Sequence, residues 1–442
     1  MRKTISQLAI VLAFLTGCAN SEDMLDSMSD DEQVLTDEQL VSTVPIRFAP
    51  STITATVEEM PVTRTSAGNN DVINNIGMFC LAKRAIGDGI TENKKPSWSG
   101  KANALMNKMS LWKDNVSVGL KITGVDKGDI IWDETMNPNY FPYYPDNNWF
   151  AYGFVAYYPR TENIVREYSR IWAYIKLDGS KPVFYSMAKE PLIDIDAQTN
   201  SLGFSKSYYE DITQETVGLE RYIYPYFTFE YLTSALNFIF ASRETPQTNL
   251  HVEKVEFDDF PCIMQLGMAY LQRLSDKTAY NMKSTISKKP FVLNQDSLNK
   301  LKEKFPTELS GLDRAFGHFE LYDEDGTSIS GKKKTDGSYK YVVTTEQMKV
   351  GGSLYIPPVY ATHSRATINV YVTLADDYGN KYKSTNPIQL SSKTGWKTGT
   401  SYDVTIWLNN PAEAAKDATL AQWEAAEPIE VNATKTNWVE QP

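Results

Sequence analysis

The sequence predicts a mostly β protein, with β-sandwiches as the natural way to bury its strands and with short helical insertions. Three observations predict this class. Short apolar runs, alternating or continuous, are separated by turn residues along most of the chain. Tyrosine (26 residues) outnumbers phenylalanine (18 residues), which is common where one strand face is half wet. Patterns with helical periodicity are few.

The N-terminus has the layout of a secretory signal, residues 1–17. Arg2 and Lys3 precede an apolar run from Leu8 to Leu15 that is too short to span a bilayer as a permanent helix. The run closes with Thr16-Gly17-Cys18, which is similar to a lipobox, in which Cys18 is acylated and becomes the first mature residue. The alternative is an ordinary signal peptide followed by a chance cysteine.

Residues 18–43 are expected to form an acidic tether. From Ala19 to Leu40 the chain carries Asp and Glu but no Lys or Arg, so the segment repels itself and stays extended. An acidic patch directly after a lipidated cysteine also resembles the export signal of bacterial surface lipoproteins. A plain soluble linker is the alternative.

The first predicted strand runs from Val44 to Val57. Its apolar residues alternate with polar or turn residues, and the parity changes after Pro50. A parity change at a proline predicts a bulge, which is better tolerated on an edge strand than on a central one. The apolar positions are Val44, Ile46, Phe48, Ile53, Ala55 and Val57.

The same criteria predict strands along the rest of the chain. They are Ile76 to Ala82, Phe150 to Tyr158, Trp172 to Leu177, Lys181 to Met187, Phe227 to Phe240 with a break at Thr233-Ser234, Val252 to Phe257, Phe316 to Tyr322, Tyr339 to Val343, Ser353 to Ile356, Ala366 to Leu374, Tyr402 to Leu408 and Ile429 to Val439. Helices are predicted at Ser297 to Phe305 and from Asn410-Pro411 to Ala426, where a cap and an N-terminal proline precede good helix formers.

The composition excludes several classes of function. A net charge of -11 argues against nucleic acid as a partner, because nothing would neutralise a phosphate backbone. The three histidines, His251, His318 and His363, have no spacing that places two on one face, so we expect no metal site and no cofactor. The sequence contains no Gly-rich phosphate loop, nucleophile elbow or Cys–His pairing, so we expect no enzymatic activity.

A few residues leave two interpretations open. The pairs Asp258-Asp259 and Asp376-Asp377 are solvated charges or, alternatively, glycosidase carboxylates. Asp323 to Gly326 indicates a turn, with calcium binding as the alternative. The aromatic stretch Tyr140 to Tyr158 packs in a core or stacks on sugars. Cys80 and Cys262 are two buried thiols or one disulfide.

Tyr140 to Pro142 and Trp149 to Pro159 read YFP and WFAYGFVAYYP, and Phe229 to Phe238 reads FEYLTSALNF. Together and in order with further segments, they resemble the fimbrillin family, the type V pilins; the further segments are Ile46 to Phe48, Thr63 to Thr65, Ile76 to Phe79, Trp396 to Tyr402 and Ala433 to Trp438. The first two segments resemble the family's "YFP…FxAYYP" and the third its "FxHxxSxLxF", with Tyr231 in place of the usual histidine.

This resemblance implies two transthyretin-like β-sandwich domains in tandem, residues 44–222 and 223–442. It also implies assembly by strand exchange. An arginine-specific protease would cut after Arg64, the strand Val44 to Val57 would leave, and a neighbouring subunit's strand would fill its place. The alternative is an ordinary edge strand, with Arg64 a solvated loop residue. The candidate donor strand is the C-terminal Ile429 to Val439, with Ile429, Val431, Ala433 and Trp438 as its candidate contact residues.

The sequence-based hypothesis is therefore a subunit of a fimbria. It would be exported through the periplasm, lie at the outer membrane through the lipid on Cys18, and serve adhesion. Its partners would be other pilin subunits, the protease, and surface glycans or proteins of a host or of other bacteria. Stalk, tip and anchor positions stay open. The alternatives are a monomeric glycan-binding lipoprotein of a polysaccharide-uptake system and, third, a β-sandwich hydrolase.

Overall fold

Strands dominate the structure, a computed structural model, and the mostly β class is confirmed. The structure describes residues 41–45, 47–48, 51–53, 72–85, 115–123, 127–132, 143–145, 150–167, 170–188, 224–243, 245–246, 249–273, 280–283, 291–358, 367–383, 388–391, 396, 398–408 and 436–437.

Ten strands precede residue 222 within these ranges. They are β1 Val41–Pro45, β2 Ser51–Ile53, β3 Val72–Ala85, β4 Val116–Ile122, β5 Lys127–Trp132, β6 Tyr143–Pro145, β7 Phe150–Tyr158, β8 Ile164–Glu167, β9 Arg170–Lys176 and β10 Phe184–Met187. The run Phe150–Tyr158 contains aromatic and β-branched residues and ends before Pro159, which explains a strand with these bounds.

The later strands build the C-terminal part. They are β11 Thr228–Tyr231, β12 Ser234–Ser242, β13 Leu250–Pro261, β14 Ile263–Arg273, β15 Tyr280–Lys283, β16 Phe291–Val292, β17 Phe316–Glu320, β18 Met348–Ile356, β19 Thr367–Asp376, β20 Lys381–Lys383, β21 Ile388–Ser391, β22 Thr400–Leu408 and β23 Thr436–Asn437. Residues 339–343, predicted as a strand, form only isolated bridges, Lys333 to Tyr339 and His251 to Val342, so this prediction is wrong.

A closed barrel forms around the N-terminal strands, in the order β10-β11-β2-β5-β4-β3-β7, with β7 pairing back to β10. Its wall includes β11, which follows the predicted domain boundary. At Leu232-Thr233 the chain leaves the barrel, and the Thr233 hydroxyl accepts a hydrogen bond from the Val183 N–H at 3.1 Å. The predicted break in the alternation around Thr233-Ser234 is therefore confirmed, since β11 ends at Tyr231 and β12 begins at Ser234.

Two further sheets pack face to face. One has the order β18-β12-β22-β23, and the other has β17-β13-β19-β20 with β21 also on β19. Phe238 on β12 and Phe257 on β13 are both fully buried, with ring centroids 5.2 Å apart. Alternate residues of each strand point into this shared core, as the strand period requires.

A third sheet, β15-β14-β9-β8 with β16 on β14, joins the two halves of the sequence. Ile263 to Tyr270 of β14 pair with Arg170 to Lys176 of β9, across the predicted boundary at residue 222. This sheet and the barrel both contain strands from each side of residue 222. The division into two domains at that residue therefore stays a prediction. The transthyretin-like character of the domains also stays a prediction.

The described residues include one α-helix, α1 Gln295–Lys304, which overlaps the predicted helix at Ser297 to Phe305. The Asn294 side chain caps it by accepting a hydrogen bond from the Ser297 N–H at 2.8 Å. Leu298 is fully buried in a small cluster beside the third sheet. The second predicted helix, up to Ala426, lies outside the described residues.

Cys80 and Cys262 are both buried free thiols. Burial raises the pKa of Cys80 well above its ordinary value and raises that of Cys262 as well. The expectation of two lone buried thiols is confirmed, and the alternative of a disulfide between them is wrong.

Candidate assembly site

The first strand of the barrel, β2, is held on both edges. It runs parallel to β11, with Thr52 opposite Thr228, and antiparallel to β5, with Ser51 opposite Gly128. The Thr52 N–H donates to the Phe227 carbonyl at 2.8 Å. Without β2, the facing edges of β5 and β11 would lose these partners, which is the situation that a strand from another chain can relieve.

An aromatic pocket receives the side chain just before β2. The half-buried ring of Phe48 lies between the rings of Trp132, Phe154 and Phe227, at centroid distances of 5.5, 5.1 and 5.1 Å. Phe154 and Phe227 are fully buried. Phe48 is therefore the described side chain that anchors the N-terminal segment in the barrel, as its predicted place on the apolar face required.

The next residues of the segment hold it less firmly. Ser51 is fully buried, and its hydroxyl has no hydrogen-bond partner among the described residues. The Thr52 hydroxyl donates to that of Thr228 over 3.3 Å, a long hydrogen bond. Within β2, the described side chains therefore contribute one long hydrogen bond from Thr52 and none from the Ser51 hydroxyl.

The structure divides the predicted strand Val44 to Val57 into two. Val44 lies in β1, which pairs with β6, and Ile53 ends β2 in the barrel. The division falls between Pro45 and Ser51, and this interval contains the parity change predicted at Pro50, a residue that cannot donate a ladder hydrogen bond. Because β2 lies between β5 and β11, it is not an edge strand.

The C-terminal segment is described at β23, which pairs with the start of β22. Thr436 lies opposite Ser401, and Asn437 lies opposite Thr400, in antiparallel register. On its other edge, β22 pairs with β12 in parallel from Ser401 to Leu408. Thr436 and Asn437 therefore lie beside β22, on the side away from β12.

The other predicted site residues lie outside the described residues. They are Cys18, Ile46, Ala55, Val57, Arg64, Ile429, Val431, Ala433 and Trp438. The structure brings Phe48 and β2 together with the barrel core and leaves the roles of these other residues as predictions.

A cluster on β13 and β17 was missed at the level of sequence. Glu256, His318 and Glu320 each bring one potential ligand atom within 4.8 Å of the others. Lys254 donates to Glu256 at 2.9 Å and also pairs with Glu320, while Lys383 donates to Glu256 at 2.7 Å. The cation that lies between the carboxylates of Glu256 and Glu320 is thus the ammonium of Lys254. The cluster is an ion-pair network across the sheet.

The pKa of Glu256 reflects this network. Burial alone would raise it, but hydrogen bonds from Lys383 and Lys254 outweigh burial and hold the pKa below its ordinary value. The spacing of two in Lys254/Glu256 and Lys381/Lys383 places each pair on one strand face, and this is the signal that could have revealed the network.

The loop from Asp323 to Gly326 forms the predicted turn, with the Gly326 N–H donating to the Asp323 carbonyl at 2.9 Å. The buried Asp323 carboxylate accepts from Lys340 at 2.8 Å and from Tyr341 at 2.6 Å. Lys332 pairs with both Asp323 and Asp325. Lysine ammoniums therefore lie where calcium would need free carboxylate oxygens, which disfavours the calcium alternative.

Two rings of the aromatic stretch Tyr140 to Tyr158 pack inward, those of Phe154 and Tyr157. Phe154 and Tyr157 are fully buried, and the Tyr157 hydroxyl donates to Asn115 at 2.6 Å. These rings are unavailable for stacking on a sugar, so the core interpretation is confirmed for them. Among the described residues, no helix has both the length and the apolar character needed to cross a membrane.

No family model matches the sequence, and no curated protein matches it. The comparison with solved structures finds fimbrial and cell adhesion proteins among its matches. A fimbrial protein from Bacteroides vulgatus is 11% identical with a TM-score of 0.39, over 83% of this chain and 96% of its own. A candidate cell adhesion protein from Bacteroides uniformis is 12% identical with a TM-score of 0.33, over 82% and 93%. The tip fimbrial protein Mfa3 from Porphyromonas gingivalis, truncated at its C-terminus, is 8% identical with a TM-score of 0.27, over 82% and 94%.

Proposed function

We propose that the protein is a fimbrial subunit that assembles by strand exchange and serves adhesion. The observation that carries the proposal is the position of β2, a three-residue strand held between β5 and β11 in the barrel. Removing it would expose two strand edges and the aromatic pocket of Trp132, Phe154 and Phe227. Pairing with another subunit's strand would satisfy both the edges and the pocket.

Cleavage after Arg64 would release β2 from the rest of the barrel. The covalent connection from β2 to β3 runs from Ile53 to Val72, and Arg64 lies within it. After a cut there, non-covalent contacts alone would retain β2. Among the described residues, those contacts include the ring of Phe48, the ladder to β5 and β11, the long Thr52–Thr228 hydrogen bond and, upstream, the pairing of β1 with β6.

The donor in this proposal is the C-terminal segment Ile429 to Val439 of a neighbouring subunit. Ile429, Val431 and Ala433 alternate with polar residues, as a strand with one buried face requires. Trp438 follows at the end of the segment. The subunit would reach the cell surface as a lipoprotein acylated at Cys18 and lie in the fimbria at the outer membrane.

The proposal is tested by native digestion of the mature chain, with Cys18 replaced by Ser, using an arginine-specific protease. We expect an early cut after Arg64, loss of residues before the cut, and a ladder of polymers by sizing and native gels. An Arg64→Lys chain, which keeps the charge but resists this protease, should stay monomeric. A cut monomer that retains its first strand would refute the proposal and direct attention to a glycan-binding role.

A further inference from the structure

A small cleft lies where the barrel meets the third sheet. It has a volume of about 220 Å³ and is lined by the residues that follow β7 and by those between the end of β9 and the start of β10. Its lining includes the buried apolar residues Ile175, Leu177 and Val183. A concave site that combines apolar residues with a few polar groups is the usual form of a small-molecule site.

The charge of this cleft is opposite to that of the protein. Arg160, Lys176 and Lys181 line it together with one carboxylate, that of Asp178. Three cations against one anion give the lining a net charge of +2, whereas the whole chain carries -11. Within the described part of the chain, neither Lys176 nor Lys181 has a hydrogen bond or an ion pair. Two ammonium groups at the cleft are thus available to an anion.

The other two charged groups of the cleft are held in place by their neighbours. Arg160 Nε donates to the Asn115 carbonyl at 2.8 Å, and Arg160 Nη1 pairs with Glu162 at 2.6 Å. Asp178 Oδ1 accepts from both the N–H and the hydroxyl of Ser180, at 2.9 and 2.7 Å. Because a guanidinium carries five N–H donors, the two contacts of Arg160 leave other donors for a ligand.

The lysines of the cleft differ from those that surround Asp323. Lys332 and Lys340 both pair with that buried carboxylate, so their charges are balanced within the fold. Lys176 and Lys181 have no such partner in the described ranges. Cations gathered around one cleft repel each other, and an anionic ligand would relieve this repulsion.

Two main-chain hydrogen bonds fix the segment that carries the lysines. The Leu177 N–H donates to the Cys262 carbonyl at 2.7 Å, and the Tyr355 N–H donates to the Gly179 carbonyl at 2.8 Å. Both bonds lie between the two lysines in sequence, and each joins the segment to a different part of the chain. A cleft whose backbone is already fixed loses little conformational entropy when a ligand binds.

We infer that the cleft binds a small ligand with one carboxylate, of the size of a single sugar unit. Its volume is below the roughly 300–1,000 Å³ of pockets for drug-sized molecules, so it accommodates one such unit. Arg160 and the two lysines pair with the carboxylate, and the apolar lining contacts the uncharged part of the ligand. In an adhesive subunit this ligand is an acidic sugar of a surface glycan, and that part of the inference rests on the proposed function.

Binding of glucuronate to the uncut mature chain, with Cys18 replaced by Ser, tests the inference. Ligand-observed NMR titration measures it, with glucose and acetate as matched ligands. We expect a Kd on the order of 1 mM for glucuronate. Glucose lacks the charge and acetate lacks the sugar ring, so both should bind more weakly. The double variant Lys176→Gln, Lys181→Gln should bind glucuronate about tenfold more weakly. Lys334→Gln removes an exposed lysine from another loop and should bind as wild type does.

The outcomes separate this inference from the proposed function. Equal binding of glucose or acetate, no binding of glucuronate, or undiminished binding by the double variant would overturn the inference. After cleavage at Arg64 the double variant should polymerise like wild type, because no residue that lines the cleft belongs to β2, β5 or β11. A chain that binds glucuronate but never polymerises would refute strand exchange and leave the ligand site intact.

Discussion

The rings of Phe48 and Phe227 lie 5.1 Å apart at an interplanar angle of 31°, and this contact ties the N-terminal segment to the residue before β11. Phe48 belongs to the N-terminal segment that would leave, whereas the other rings of its aromatic pocket belong to the part of the barrel that would stay. A substitution of Phe48 therefore tests directly how firmly the first strand is held.

Phe48→Ala is expected to destabilise the protein by about 2–3 kcal/mol, below the usual range for a fully buried phenylalanine because this ring is half-buried. Urea unfolding of the uncut chain measures this loss. After cleavage at Arg64, the first strand should leave faster than in the wild type. Phe48→Leu keeps an apolar side chain in the pocket, so its stability and its rate of strand release should fall between those of Phe48→Ala and wild type. Unchanged stability of Phe48→Ala would contradict the anchoring role.

Ser51→Ala is expected to stabilise the protein by about 1 kcal/mol, because it removes a buried hydroxyl with no partner among the described residues. Release of the cut strand should slow accordingly, as followed by sizing over time. The neighbouring Thr52→Ala should act in the opposite direction, since Thr52 loses its hydrogen bond to Thr228. A destabilised Ser51→Ala chain would show that this hydroxyl has a partner.

Asp323→Asn is expected to lower the free energy of unfolding by about 2 kcal/mol at neutral pH, because Lys340 and Lys332 lose the negative charge with which they pair. Burial opposes the charge of Asp323, but hydrogen bonds from Lys340 and Tyr341 hold its pKa below the ordinary 3.8. Its contribution is therefore present above that pH and is lost as the pH falls below it.

Urea unfolding of Asp323→Asn and wild type at pH 7 and in acid checks this sign. The difference between the two proteins should shrink as the wild-type carboxyl becomes protonated. Asp336→Asn is a suitable control, because Asp336 accepts its hydrogen bonds from Ser338 in an exposed turn and pairs with neither Lys332 nor Lys340. A difference that stays constant with pH would contradict the assignment.

His251→Phe is expected to make the protein less sensitive to mild acid. Burial holds the pKa of His251 below 6.5, against the opposing effect of Glu253, whose carboxylate lies 3.6 Å away. A buried neutral histidine contributes stability above its unfolded pKa, and this contribution is lost as the pH falls below 6.5.

Phenylalanine keeps the stacking of His251 on Tyr339, whose ring centroid is 3.6 Å away. Thermal unfolding between pH 7 and about pH 5 is the measurement, since an ordinary histidine titrates in this interval. If His251→Phe and wild type lose stability in parallel over this interval, His251 does not titrate as proposed.

Local patterns predicted individual strands well and their partners poorly. The continuous apolar run of β7 and the break between β11 and β12 are both visible in the sequence. By contrast, β14 was missed because Met264, Gln265, Leu266 and Met268 are good helix formers, so propensity gave no strand signal. Its pairing with β9 and the parallel pairing of β2 with β11 are tertiary contacts that no local pattern encodes.

For the candidate site as well, local patterns predicted the face of a side chain but not the partners of a strand. The alternation in the first strand correctly placed Phe48 on an apolar face. The position of β2 between two strands could not be inferred, because a parity change at Pro50 also fits an edge strand. The lysine–carboxylate networks depend on contacts between distant strands, such as Lys254 with Glu320 and Lys383 with Glu256.

The parallel pairing of β12 with β22 has a mechanical consequence. The two strands run in the same direction through eight residue pairs, from Ala235–Ser401 to Ser242–Leu408. A pulling force that enters at the start of β12, next to the barrel, and leaves beyond the end of β22 would load this ladder in shear. All of its hydrogen bonds would then share the tension at once, whereas peeling from one end would break them singly.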